Sequence, residues 1–198
     1  MTTQTAVIGN GKSASGLASE IDACARVVRC GQWPNVFKKG QAGRKMDIWA
    51  WPGYAKMNRF IPKGRGYRMW ITCPLQWHKG KQRAVNVKKV AKRIKSEVQW
   101  VPMDIYMPLR KALTAISGKD LPPSTGMVAI AYAVSTNPQG MFIAGFDAGI
   151  VGEYRYADGR PASNTLHPYK AEAELIRQLA AGTWLGRPID FEVDWRHP

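Results

Sequence analysis

Four short stretches of the chain hold residue types that handle phosphate, ribose and protons. Gly9-Asn10-Gly11-Lys12-Ser13-Ala14 follows the apolar run Thr5-Ala6-Val7-Ile8. Glycine lets a backbone approach a ligand closely, and N–H groups at a helix start bind anions. Three readings overlap there. Gly11-Lys12-Ser13 matches the end of a phosphate-binding P-loop, but that motif needs a glycine where this chain has Ala6. Gly9-x-Gly11-x-x-Ala14 fits the relaxed dinucleotide fingerprint, whose second strand ends in an acid that holds the ribose. Here that strand carries Arg29, which suits a 2′-phosphate. The third reading is a tight strand-to-helix turn with no ligand.

Pro123-Ser124-Thr125-Gly126, Gly145-Phe146-Asp147 and His167-x-x-x-x-Glu172 complete the set. Taken singly, each has an ordinary counterpart: a helix cap, a strand end, a loop histidine, a helix-start carboxylate favoured by the dipole. His78 lies in a basic loop and His197 at the terminus, so both read as bystanders.

An open α/β sheet is the scaffold that gathers such loops at one edge. Strands are expected at 5–8, 26–30, 46–51, 68–72 and 141–146, with an edge strand at 191–195. Val87, Val90, Ala91, Ile94 and Val98 recur at helical spacing behind Asn86 as N-cap, with Lys88, Lys89, Lys92, Arg93 and Lys95 on the solvated face. A second helix is expected from Pro108 to Gly118 and a last one from Pro168; Met127 to Val134 fits either a buried helix or a strand. The expectation is one Rossmann-like nucleotide-binding domain over 1–198 with a largely parallel sheet, and a basic excursion at about 52–96.

The 198 residues are 45% hydrophobic with eight Trp, which excludes a disordered chain, and no apolar run is long enough to span a membrane. No signal peptide is visible, and the odd cysteine set of Cys24, Cys30 and Cys73 suits a reducing cytoplasm. The formal net charge of +15 is local. Between Asp47 and Glu97 there is no acidic residue and there are 13 of the 29 basic ones, leaving 16 against 14 acids elsewhere. Such a segment suits an acidic substrate, an anionic membrane surface or nucleic acid.

Taken together and in order, Ala6-Val7-Ile8-Gly9-Asn10-Gly11, Val28-Arg29-Cys30, PSTGMVAIAYAV…GMFIAGFD and His167-x-x-x-x-Glu172 resemble the motifs of the sialyltransferases, both the animal-type enzymes of glycosyltransferase family 29 and the bacterial ones of family 42. The resemblance spans about residues 6 to 172. It implies a fold of the glycosyltransferase A variant type and a donor that is a cytidine monophosphate sugar, CMP-sialic acid. It further implies metal-independent, inverting transfer to a glycan hydroxyl, with His167 as general base, a role its ordinary pKa near ~6.5 suits. Gly9, Asn10, Gly11, Arg29, Gln32, Ser124, Thr125, Gly126, Gly145 and Asp147 would hold the nucleotide, Asp147 by accepting from ribose hydroxyls. Tyr154 and Tyr156 would meet the leaving phosphate, and Glu172 would orient the region. Gly31 stands where the family has an asparagine, and no cysteine follows Cys73 to form the animal enzymes' disulfide. No cofactor or metal is expected, and the protein would be cytoplasmic, peripheral at an anionic membrane surface through residues 56–95. The alternatives are a nucleic-acid-binding protein on an inactive nucleotide fold, using the basic segment with Trp70, Trp77 and Trp100, and a dehydrogenase using the relaxed glycine fingerprint.

Overall fold

Seven short strands decide the architecture, buried and mostly apolar in the middle and more polar at the two edges: β1 (Thr5–Ile8), β2 (Arg26–Cys30), β3 (Ile48–Trp51), β4 (Arg68–Ile71), β5 (Val98–Trp100), β6 (Gly140–Ala144) and, after the hairpin of β7 (Thr183–Trp184) and β8 (Arg187–Pro188), β9 (Glu192–Arg196). They form one all-parallel sheet in the order β5-β4-β3-β2-β1-β6-β9. The structure is a computed structural model that describes residues 4–32, 40–55, 58, 61–62, 66–136, 138–148, 150, 157 and 167–198. Tyr154, Tyr156, Lys56, Arg59, Lys63 and Arg65 lie outside the described residues.

Both sheet faces are covered, as a parallel sheet requires. Val7, Val28, Ala50, Trp70 and Ile143 point to one face, under α3 (Met103–Ser117), α4 (Thr125–Ser135) and α5 (Tyr169–Ala180). Their neighbours in sequence point the other way. Ile8, Val27 and Phe142 meet α1 (Ala18–Ala23), and Trp49, Trp51 and Met69 meet α2 (His78–Ile94). Strand order reverses at β1: the chain moves outward from β1 to β5, then returns to lay β6 on the opposite flank. The chain leaving β1 and the chain leaving β6 therefore lead to helices on opposite faces, α1 and α5, at the sheet's carboxyl edge, where open α/β sheets bind ligands.

Helix starts differ from the sequence expectation in two places. α2 begins at His78, eight residues before Asn86, and Asn86 sits inside it, donating to the Gly53 carbonyl at 3.1 Å and pairing with the Asn58 amide. α3 begins at Met103 and carries Pro108 in its interior; Asp104, four residues earlier, and Pro108 both lie at the solvent. Residues 127–134 are helical, and α2 does present Lys88, Lys89, Lys92, Arg93 and its capping Lys95 to solvent. Among the described residues, no helix is long and apolar enough to cross a membrane.

Candidate active site

The loops after β1 and β6 are welded to each other. Gly9 N–H donates to Ala144 O at 2.8 Å and Gly11 N–H to Gly145 O at 2.9 Å. A Cβ on Gly9 would stand 2.2 Å from the Gly145 carbonyl oxygen, so glycine there serves loop packing. A Cβ on Gly11 would stand 2.6 Å from the Asp147 carboxyl carbon. That carboxylate is 4% exposed and is spent on Ser13, accepting from its N–H at 2.9 Å and from its hydroxyl. The Ser13 hydroxyl in turn accepts from Gly145 N–H at 2.9 Å.

Three residues expected at the nucleotide, Gly11, Asp147 and Arg29, are placed away from the cleft. Asp147 and Gly11 are absent from the lining of the cleft described below, and Asp147 faces Ser13 where a ribose was expected. Arg29 is fully buried on the α1 side of the sheet, its Nε donating to Lys45 O at 2.9 Å and its guanidinium 3.9 Å from Asp22. Burial lowers its pKa to about 10 against the opposing pull of Asp22. It is a structural cation, and no 2′-phosphate reaches it from the cleft.

A cleft of about 600 Å³ opens at the sheet's carboxyl edge and brings together Gly9, Asn10, Gln32, Ser124, Thr125, Gly126, Gly145, His167 and Glu172. Ser124 is the N-cap of α4, its hydroxyl accepting from Met127 N–H at 3.1 Å. The same hydroxyl donates to Glu172 Oε2 at 2.8 Å, and Ser124 N–H donates to Oε1 at 2.6 Å. Glu172 is thus no solvated helix-start carboxylate. It is 5% exposed, and burial pushes its carboxyl up to about 7, Ser124's two bonds pulling the other way. The first-turn N–H groups of Thr125 and Gly126, which a helix leaves unused, remain on the cleft wall. Gly126 is required by Phe146, whose ring a Cβ would approach to 2.5 Å.

His167 Nδ1 lies 2.8 Å from the Pro122 carbonyl. A carbonyl only accepts, so Nδ1 carries the proton and Nε2 keeps a lone pair. Burial lowers the imidazole pKa, the Pro122 bond opposing, and the ring is held toward its neutral, basic form. Across the cleft floor, Asn10 Oδ1 is buried and has no hydrogen-bond partner among the described residues. Its amide nitrogen lies 3.5 Å from where a Cβ on Gly31 would stand, an ordinary contact, so it is the left-handed backbone at Gly31 (φ +57°) that favours glycine beside this amide.

The basic excursion expected at about 52–96 contributes Tyr54, Cys73, Trp77, Lys79 and Arg83 to the cleft lining, joined by Tyr106, but the sequence did not single these residues out for the cleft. Lys79 and Arg83 figured only in a charge count; placing them needs the true start of α2. Arg83 donates to Pro52 O at 2.7 Å and lays its guanidinium 3.6 Å over the Tyr54 ring. Trp70 is buried against Tyr132 at 4.7 Å, which removes it as a platform for a nucleic-acid base. Among the described residues, no group of three or more His, Cys, Asp or Glu side chains is placed to hold a metal ion.

No protein-family profile matches the chain, and no curated protein matches it in sequence. Solved structures do match in fold. A mammalian sialyltransferase superposes with a TM-score of 0.66 at 15% identity over 98% of this chain and 68% of its own. The sialyltransferase Cst-I of Campylobacter jejuni gives 0.58 at 14% identity over 91% and 72%. CstII of the same organism, solved with the substrate analogue CMP-3FNeuAc, gives 0.55 at 15% identity over 90% and 78%. The chain has the sialyltransferase fold.

Proposed function

We propose that the protein is a glycosyltransferase that binds a cytidine monophosphate sugar, CMP-sialic acid, in this cleft and transfers the sugar with inversion to an acceptor hydroxyl. The observation that carries the reading is His167 on the cleft wall, with Nδ1 fixed by Pro122 and Nε2 left as a base. Its support is the fold shared with CstII, a protein solved with a CMP-sugar analogue. In the proposed step Nε2 takes the proton of the acceptor hydroxyl as its oxygen attacks the anomeric carbon. The carbon–oxygen bond to the phosphate breaks on the opposite side, and its electron pair leaves on the nucleotide phosphate. Asn10 and the α4 N-terminus supply donors for that nucleotide, the helix dipole favouring its negative charge. The resemblance implies that no metal takes part, so turnover should survive EDTA.

Calorimetry with CMP tests the first half of the reading: wild type should bind, and Asn10→Ala should weaken binding. Absence of CMP binding by the wild type would end it. Transfer assays test the second half, since His167→Ala should abolish turnover while CMP affinity stays within a few-fold.

A further inference from the structure

The cleft has two chemically unlike walls. On the Ser124 side lie the helix N-terminus, His167 and Glu172, the last being the only acidic residue among the described residues of the lining. A second part of the lining is cationic and aromatic: Tyr54, Trp77, Lys79, Arg83 and Tyr106. Among the described residues, neither Lys79 nor Arg83 has an ion-pair partner. None is within reach in sequence either, for the chain has no acid from 48 to 96. The first turn of α2 is equally free of carboxylates, and its N-cap Trp77 makes no side-chain cap. Arg83 is nevertheless held in place, by Pro52 O at 2.7 Å and by its stack on Tyr54 at 3.6 Å. Trp77 is fixed likewise, edge-on to Tyr106 at 5.4 Å and under Arg110 at 4.8 Å. A positioned guanidinium, an ammonium and an aromatic face together recognise a sugar ring that carries a negative charge.

We infer that the Tyr54–Trp77–Lys79–Arg83 wall is the acceptor subsite and that it selects an anionic sugar, one bearing a carboxylate or a sulfate. The inference rests on the reading of the other wall as the donor site. The uncharged face of the ring would lie on Trp77 or Tyr54, with the anionic group toward Lys79 and Arg83. The acceptor hydroxyl would then come from the side facing His167.

The test uses the full chain saturated with CMP and three probes: 3′-sialyllactose, lactose 3′-sulfate and lactose. Wild type should bind at least one charged probe about tenfold more tightly than lactose at low salt, with the margin shrinking as salt rises. The stronger of the two charged probes identifies the anionic group. Lys79→Glu should erase the margin, and Arg83→Lys, which keeps charge but not the planar fork, should narrow it. Lys89→Glu makes the same charge change on the solvent face of α2 and should leave the margin intact. Equal binding of all three probes by CMP-loaded wild type overturns the acceptor assignment alone. Equal loss in Lys79→Glu and Lys89→Glu overturns it too, because diffuse attraction by the basic segment would then explain the preference. Failure of CMP itself to bind overturns the donor reading, and the acceptor subsite with it.

Discussion

The welded loops of β1 and β6 and the corner between α4 and α5 contain equally motif-like residues, yet they do different work. In the loops, Gly9, Gly11, Ser13, Gly145 and Asp147 satisfy one another, and of these only Gly9 and Gly145 reach the cleft lining. At the corner, Ser124 and Glu172 also satisfy one another, but they do so on the cleft wall beside His167 and two unused helix N–H groups. A motif thus reports that residues are required together; only burial and orientation separate those that hold the site from those that face it. Substitutions should divide along the same line.

The largest effect expected is on turnover. His167→Ala should lower it by about 10²- to 10⁴-fold, the usual contribution of a general base, with melting temperature nearly unchanged. Gly9→Ala and Asp147→Ala should do the reverse and act on stability. Gly9→Ala forces a carbon against the Gly145 carbonyl, and Asp147→Ala strands the Ser13 N–H in a half-buried loop. Each should cost about 1–3 kcal/mol in denaturant unfolding. If Gly9→Ala unfolds normally but loses CMP, Gly9 serves the ligand and not loop packing, and the division fails.

Glu172 gives a prediction of the opposite sign to most carboxylates. Its folded pKa is raised to about 7 from an ordinary 4.5, so between those values the folded protein holds a proton that the unfolded chain has released. Stability therefore falls as pH rises through that window, by about 3 kcal/mol at most. Unfolding measured from pH 5 to 8 should show the decline, and Glu172→Gln should flatten it. A flat wild-type profile would mean that the carboxylate is ionised throughout. The smallest effect concerns His167, whose lowered pKa places the acid limb of turnover below the ordinary 6.5. That limb is best read in Glu172→Gln, where the carboxyl no longer titrates.

Strands were legible because the sheet is short, parallel and apolar on both faces; β2, β3, β4 and β6 fall within two residues of their expected bounds. β5 was missed, since Val98 continues the helical spacing of α2 and the strand is only three residues long. The start of α2 was hidden for a different reason. Its first turns bury little apolar surface; their inward positions include Gly80, where a Cβ would meet Pro74 O at 1.9 Å, and Arg83. Helical periodicity has nothing to register there, and with it went the placement of Lys79 and Arg83 within the basic excursion. Arg29 misled in the other direction: one strand residue's orientation separates a phosphate ligand from a buried cation, and spacing alone does not carry that sign.

The partner that fixes the tautomer of His167 is a main-chain oxygen at Pro122. Every amino acid supplies such an oxygen, so side-chain replacement at 122 leaves the imidazole aimed as long as the loop keeps its path. The orienting half of this proposed base is therefore written in conformation and leaves no residue type to conserve. Variation at position 122 among relatives would say nothing about loss of activity, whereas an insertion or deletion between 118 and 124 would swing the ring away without touching any motif.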